Sequence, residues 1–254
     1  MMLSIVSQVL FAIGIHKPSL THDEFHSAYA EGRRDFSHTR LTGACLKGIP
    51  LIRLKLHRAD LRSADLRNAD FVGANLSSVD LRGANLADID LTKVTLVGAK
   101  LQGANLSQSV LRQANLARAN LLRANLNAAV LQGANLSHAN LRQCNGMDAI
   151  FSHANLYKAR LNAANLAYAT LYGSNLGEAQ LKGVNLVCAD VRETGLSHSR
   201  LKKHNSKGAI FIGANPEDAF IEQDAGIVRR SISWTDALLG RFDDLYPASS
   251  KRKF

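Results

Sequence analysis

An all-β solenoid is the fold class that the 254-residue chain predicts, and three observations predict it. Leucine recurs at every fifth residue: of the 35 positions counted in fives from Leu41 to Phe211, 29 are leucine, Phe71, Phe151 and Phe211 are phenylalanine, and one is Val191. Only Gly146 and Ser206 break the series. Alanine fills 22 of the 35 positions two residues earlier, from Thr39 to Ala209, and the phase never slips. Pro50 lies near the start of this array and Pro216 just past its end, with none between, as suits ladder hydrogen bonding, which proline interrupts.

Alanine and leucine favour helix, but a five-residue step on a helix rotates by roughly 140°, so the leucines would wander around the cylinder. Periodicity therefore outweighs propensity. In an extended chain, the alanine and leucine of each A-N-L-x-x unit turn to one side and the residue between them to the other. The last two residues turn a corner. Such a unit cannot bury its apolar side alone and must stack on neighbours. A leucine-rich repeat is the rival reading, but its longer unit needs an irregular convex segment that this chain lacks.

The stretch "RADLRSADLRNADFVGANL", from Arg58 to Leu76, resembles the pentapeptide-repeat family, whose pattern is A-(D/N)-L-x-x. The resemblance spans about 175 residues, Leu41 to Asn215. It implies a right-handed quadrilateral β-helix of about nine coils, four units to a coil, with the leucine and the preceding small residue inside. Residues 1–35 are then an N-terminal helical lead-in, 36–215 the β-helix, and 216–254 a C-terminal helical segment with a basic tail.

At the N-terminus, Leu3, Val6, Val9, Leu10 and Ile13 share one side of a predicted packing helix. The apolar run is too short for a membrane span, and without a basic leader a signal peptide is the minor reading. Thr21 and Glu24 have capping-box spacing, and Gly32 offers a stop, predicting a helix over about 22–31. This lead-in resembles that of cyanobacterial members of the family. Beyond the array, Asn215 and Pro216 read as the N-cap and first residue of a helix, and "SWTDALLGRF" as another. Trp234, Leu238, Leu239 and Phe242 there could join two copies, and "SSKRKF" is expected to be a disordered basic tail. Gly146 is expected to sit at a local bulge or shifted turn, or at a bend that shapes a surface, with Met147, Ile150 and Phe151 refilling the lost leucine's space.

No catalytic centre can be assembled. His22 and His26 stand four apart in "HDEFH", but Asp23 takes the place of the glutamate that the helical zinc motif requires. His138, His153 and His198 fall outward, two residues past a leucine. The repeated "GAN" lacks the lysine and helix start of a phosphate loop. No enzyme activity, metal or cofactor is therefore expected. The three cysteines, Cys45, Cys144 and Cys188, lie far apart in sequence, which favours a reducing, cytoplasmic compartment.

With four units to a coil, residues twenty apart stack in outward columns. One face carries Arg62, Arg82, Lys100, Arg123, Arg142, Arg160, Lys182, Arg200, Lys202 and Lys203, opposed by Asp60 and Asp80. The opposite face places Val110, Val130 and Ile150 on successive coils, with Tyr172 beside the next, an exposed apolar strip that suits a protein contact. The two faces between keep asparagine, as in Asn85, Asn105, Asn125 and Asn145, and read as scaffold. The expected function is a non-catalytic protein-interaction scaffold or regulator, and the resemblance extends to cyanobacterial regulators, including those of heterocyst differentiation. The alternative is nonspecific binding of nucleic acid or an anionic surface by the basic face. Some family members bind gyrase through an acidic surface that mimics DNA. Leu41 to Asn215 counts 21 Lys plus Arg against 10 Asp plus Glu, net +11, the wrong sign for that role.

Overall fold

The computed structural model describes residues 19–202, 204–215, 219–223 and 226–227. The unit around Leu131 shows how each repeat folds. The amide of Ala134 donates to the carbonyl of Leu131 at 3.0 Å, closing a turn over Gln132 and Gly133. Gly133 has φ 66°, the positive third-residue φ of a type II turn. A short extended step through Ala134 and Asn135 leads into the next turn. Four corners complete a coil, because Val130 pairs in parallel with Ile150, twenty residues ahead. On the basic face Ser19 pairs with Arg40, and from Arg40 the ladder advances in steps of twenty to Arg200, which makes nine levels.

The inward leucines are buried throughout, as are Phe71, Phe151, Phe211 and Val191, and the alanines two residues earlier form most of the wall. Burying a side chain of this size contributes about 1.5–3 kcal/mol, and the stacked leucines give the coil an apolar axis. Helix α1, His22–Ala30, packs against the N-terminal end of this axis. Thr21 Oγ1 accepts from the amide of Glu24 at 3.2 Å while Glu24 accepts from the Thr21 amide at 2.8 Å, completing the capping box. Phe25 is fully buried and lies 4.6 Å, centroid to centroid, from Phe36.

At the other end the chain departs from expectation. Phe220–Gln223 (β2) is a strand, not part of a helix opened by Pro216; it lies parallel to Arg200–Lys202 (β1), with Phe220 opposite Arg200. Gly226–Ile227 (β3) pairs antiparallel with β2. The open edge of the last coil offers unpaired backbone groups to the next segment, and β2 arrives in the twenty-residue register that can take them. The packing helix expected before residue 19, the helix around Trp234 with its dimer contacts, and the basic tail fall outside the described residues.

The amides explain the asparagines. In the Leu141 unit, the amide of Asn140 reaches Ala119 O on the preceding coil at 2.9 Å, and those of Leu141 and Gln143 reach Arg160 O and Asn162 O on the next. The amide of Cys144 closes the turn. The fifth, that of Arg142, finds the side chain of Asn140 at 3.4 Å. A buried or half-buried amide needs an acceptor, and asparagine or aspartate just before the leucine supplies it. Asparagine also donates backward along the stack: Nδ2 of Asn105, Asn125, Asn145, Asn165 and Asn185 each bonds the Oδ1 twenty residues earlier, at 2.9–3.4 Å. Where aspartate takes the slot and arginine follows the leucine, the pair closes bidentately, as Arg62 does on Asp60 and Arg82 on Asp80, with contacts of 2.7–2.8 Å.

The corner imposes a second rule. From residue 38 to residue 213, every described position two past the inward residue has φ between 54° and 71°, and 24 of them are not glycine. None is valine, isoleucine or threonine, since β-branched side chains do not tolerate this region.

Gly146 causes neither bulge nor bend. Its amide donates to Asn165 O at 2.7 Å and its carbonyl accepts from Ala149 at 3.1 Å, as at leucine positions. A methyl group at Gly146 would stand 2.9 Å from Leu166 Cδ2 and 3.5 Å from Phe151 Cε2. Those two side chains fill the missing leucine's volume. Met147 and Ile150 face outward instead, half-buried and exposed.

Two outcomes follow from the corner and from the ion pairs. Ala163, at φ 57°, tolerates glycine with no loss or a gain of up to about 1 kcal/mol, whereas Ala163→Val costs about 1–3 kcal/mol, both read by chemical denaturation. Burial opposes ionisation of Asp80, but the bonds from Arg82 outweigh it and hold the carboxyl below its ordinary range. A lowered folded pKa contributes stability that is present above the unfolded value, near pH 4, and lost as pH falls through the folded one. Arg82→Gln therefore lowers the thermal midpoint at pH 7, and its deficit relative to wild type shrinks below about pH 4.

Candidate interaction surface

On the apolar face the ladder positions run Asp70, Asp90, Val110, Val130, Ile150, Thr170, Asp190 and Ile210, each paired with the next. Val110, Val130 and Ile150 thus stack without interruption; the two valines are half-buried and Ile150 is 38% exposed. These three units give up the side-chain acceptor. Asp70 and Asp90 take the amides of Val72 and Thr92 at 2.9 and 2.8 Å, but those of Arg112, Gln132 and Ser152 have no acceptor among the described residues.

Tyr172 lies on the same face but in a polar cluster. The ring of His153 meets its ring edge-on at 5.4 Å, the Arg192 guanidinium lies 5.7 Å from its centroid, and Arg192 is itself paired with Asp190 at 2.7 Å. A hydrogen bond with Glu193 pushes the Tyr172 phenol above its ordinary pKa. The apolar surface turns the other way, around the corner to Tyr168, which is 56% exposed, with Met147 and Val187 half-buried on the adjoining asparagine face. Sorting only the slot before each leucine passes over Tyr168, which stands two residues after one, at the corner residue with φ 60°.

The basic face divides into two halves. Arg62 and Arg82 are held by Asp60 and Asp80, which burial and bidentate geometry make part of the wall. Farther along, Lys100, Arg160 and Arg200 occupy the ladder slot itself, and Arg142 and Lys182 stand in one column, two coils apart. Arg123 Nε donates to Gln143 Oε1 at 2.9 Å. Among the described residues none of these six joins a carboxylate in an ion pair. Arg118 and Lys158 line the edge of the same half. Lys158 reaches Glu178 at 3.2 Å, and Glu178 also accepts from the Tyr157 hydroxyl. The side chain of Lys202, and all of Lys203, lie outside the described residues.

Cys144 fills an alanine slot, and burial pushes its thiol up to about 12. Among the described residues no group of three or more His, Cys, Asp or Glu could hold a metal ion, and no helix is long and apolar enough to cross a membrane.

The pentapeptide repeats family matches this chain in eight copies, over residues 55–96, 95–133, 124–162 and 159–197. Among solved structures, HetL, a pentapeptide repeat protein involved in heterocyst differentiation regulation from the cyanobacterium Nostoc sp. strain PCC 7120, is 33% identical. That match covers 81% of this chain and 98% of HetL, with a TM-score of 0.45. A pentapeptide repeat protein from the Arabidopsis thaliana thylakoid lumen is 35% identical over 37% of this chain and 65% of its own, TM-score 0.36. Trypsin-treated QnrB1, a plasmid-mediated fluoroquinolone resistance protein, is 16% identical over 82% and 95%, TM-score 0.47. A search of curated proteins finds no match. Pentapeptide repeat proteins fold as right-handed quadrilateral β-helices. A four-sided ladder of five-residue units, matched by the family over residues 55–197, more than half of the chain, makes this chain a member of the pentapeptide-repeat family.

Proposed function

We propose that the protein is a non-catalytic interaction scaffold that presents the Val110–Val130–Ile150 strip, continued round the corner to Tyr168, to a protein partner. The observation that carries this reading is the exchange of acceptors for hydrocarbon. An intramolecular hydrogen bond contributes about 0.5–1.5 kcal/mol net, and the three units of the strip, with the Thr170 unit after them, forgo it on one face while both asparagine faces retain it almost throughout. Contiguous outward apolar groups flanked by Asp90 and Thr170 in the same column suit a contact with another protein. HetL, with its role in heterocyst differentiation regulation, is consistent with a regulatory scaffold, and the free cysteines with a reducing, cytoplasmic setting.

Val130→Asn with Ile150→Asn restores the acceptor of the scaffold faces while removing the apolar surface. The thermal midpoint is expected to stay unchanged or rise, and a partner captured by the wild-type protein from its native cell is expected to be lost. Recovery of the same partner by the double variant would refute this surface.

A further inference from the structure

We infer that the lower half of the basic face, from the level of Lys100 to that of Arg200, is a docking surface for the phosphate backbone of duplex nucleic acid. This goes beyond the scaffold reading and uses the opposite wall of the coil.

The upper half of the face shows what its arginines seek. There each arginine after the leucine closes on an aspartate before it, Arg62 on Asp60 and Arg82 on Asp80. In the Leu141 unit the aspartate is replaced by Asn140, and Arg142 has no acid to close on among the described residues. In the next coils the slot turns cationic, at Arg160 and Arg200, so the same place that neutralises an arginine above adds charge below. The Arg160 unit forfeits the acceptor for the following amide just as the apolar strip does.

Charge density selects the partner. Lys100, Arg118, Arg123, Arg142, Lys158, Arg160, Lys182 and Arg200 make eight cations on this half and its edge, against one acid, Glu178, net +7. Five coil steps at about 4.8 Å span roughly 24 Å. Duplex DNA carries one charge per ~1.7 Å of axis, or about 14 over that length, with roughly half on the side that meets a flat wall. An acidic protein would need some seven carboxylates on one face of equal length. A single strand is disfavoured because the wall between its edges carries no Phe, Tyr or Trp on which bases could stack, and Tyr157, on the edge, is half-buried with Lys158 4.9 Å from its ring centroid and its hydroxyl on Glu178. The wall is flat and rigid, so it contacts phosphates and does not enter a groove, and recognition is independent of sequence.

Fluorescence anisotropy with a mixed-sequence 24-base-pair duplex, roughly 80 Å long and so more than long enough to cover the half-face, tests this. Binding is expected to weaken with added KCl, with a log–log slope between about −3 and −6 for four to six phosphate contacts. Arg142→Gln, Lys182→Gln, Arg160→Asn and Arg200→Asn together place scaffold-type or neutral groups at exposed or half-exposed positions. This variant is expected to melt like wild type and to lose roughly 30-fold or more in affinity, with the slope flattened by about 3. The pair Arg142→Gln and Lys182→Gln alone is expected to lose about tenfold. The pair Lys93→Gln and Arg112→Gln, an equal charge change on the apolar face, is expected to stay within about twofold. The proposal is overturned if the fourfold variant binds as wild type does, or if the Lys93 and Arg112 pair loses as much as the Arg142 and Lys182 pair. It is equally overturned, in favour of an acidic protein partner, if poly-glutamate displaces the labelled duplex at lower charge concentration than unlabelled duplex does. Duplex binding by the Val130→Asn, Ile150→Asn protein is expected to match wild type, which separates this face from the scaffold surface.

Discussion

The hydrogen bond that runs from the amide of nearly every inward residue to the carbonyl nineteen residues ahead holds the coils together, as Leu131 does to Ile150 O at 2.7 Å. It can form only if every unit has the same length and every corner the same φ, because one extra residue would carry all later leucines off the axis. Four amides of most units are satisfied by main chain, as in the Leu141 unit, and the fifth generally depends on the side chain before the leucine. That residue is consequently the one place where scaffold chemistry and surface chemistry compete.

The competition is resolved differently on the four walls. Both asparagine faces keep the acceptor on most coils and link it into ladders, such as the run from Asn85 to Asn185. The apolar face surrenders it over successive coils, to Val110, Val130 and Ile150, and the basic face does so at Arg160, while after Gln180 the amide of Lys182 finds Asn162 Oδ1 on the preceding coil at 3.0 Å. Loss of a stabilising bond in a repeat that otherwise retains it is a physical reason to look for function at those walls.

The interior is more forgiving than the backbone. Gly146 loses a leucine's volume, yet the coil passes through it undisturbed because Phe151, larger than the usual leucine, and Leu166 close the gap. A core of stacked side chains can redistribute volume between adjacent levels. A ladder of hydrogen bonds cannot redistribute register.

Much of this was legible in the sequence. The five-residue beat names the inward residues, the alanine phase names the wall, and steps of twenty sort the faces, since a strict period leaves side chains little choice of direction. Other features required the coordinates. Whether Arg62 and Arg82 are available depends on bidentate contacts to Asp60 and Asp80, and charge counting treats opposed residues as neighbours without deciding whether they touch. Tyr172 reads as apolar until His153, Arg192 and Glu193 are placed around it, and Tyr168 is inconspicuous until its side chain is seen to be exposed at a corner. The strand at Phe220–Gln223 was decided by an open edge twenty residues earlier in the chain, a partner that local helix signals at Asn215 and Pro216 do not contain. Periodicity determines which way a side chain points, whereas the company it keeps there is set by residues one coil away.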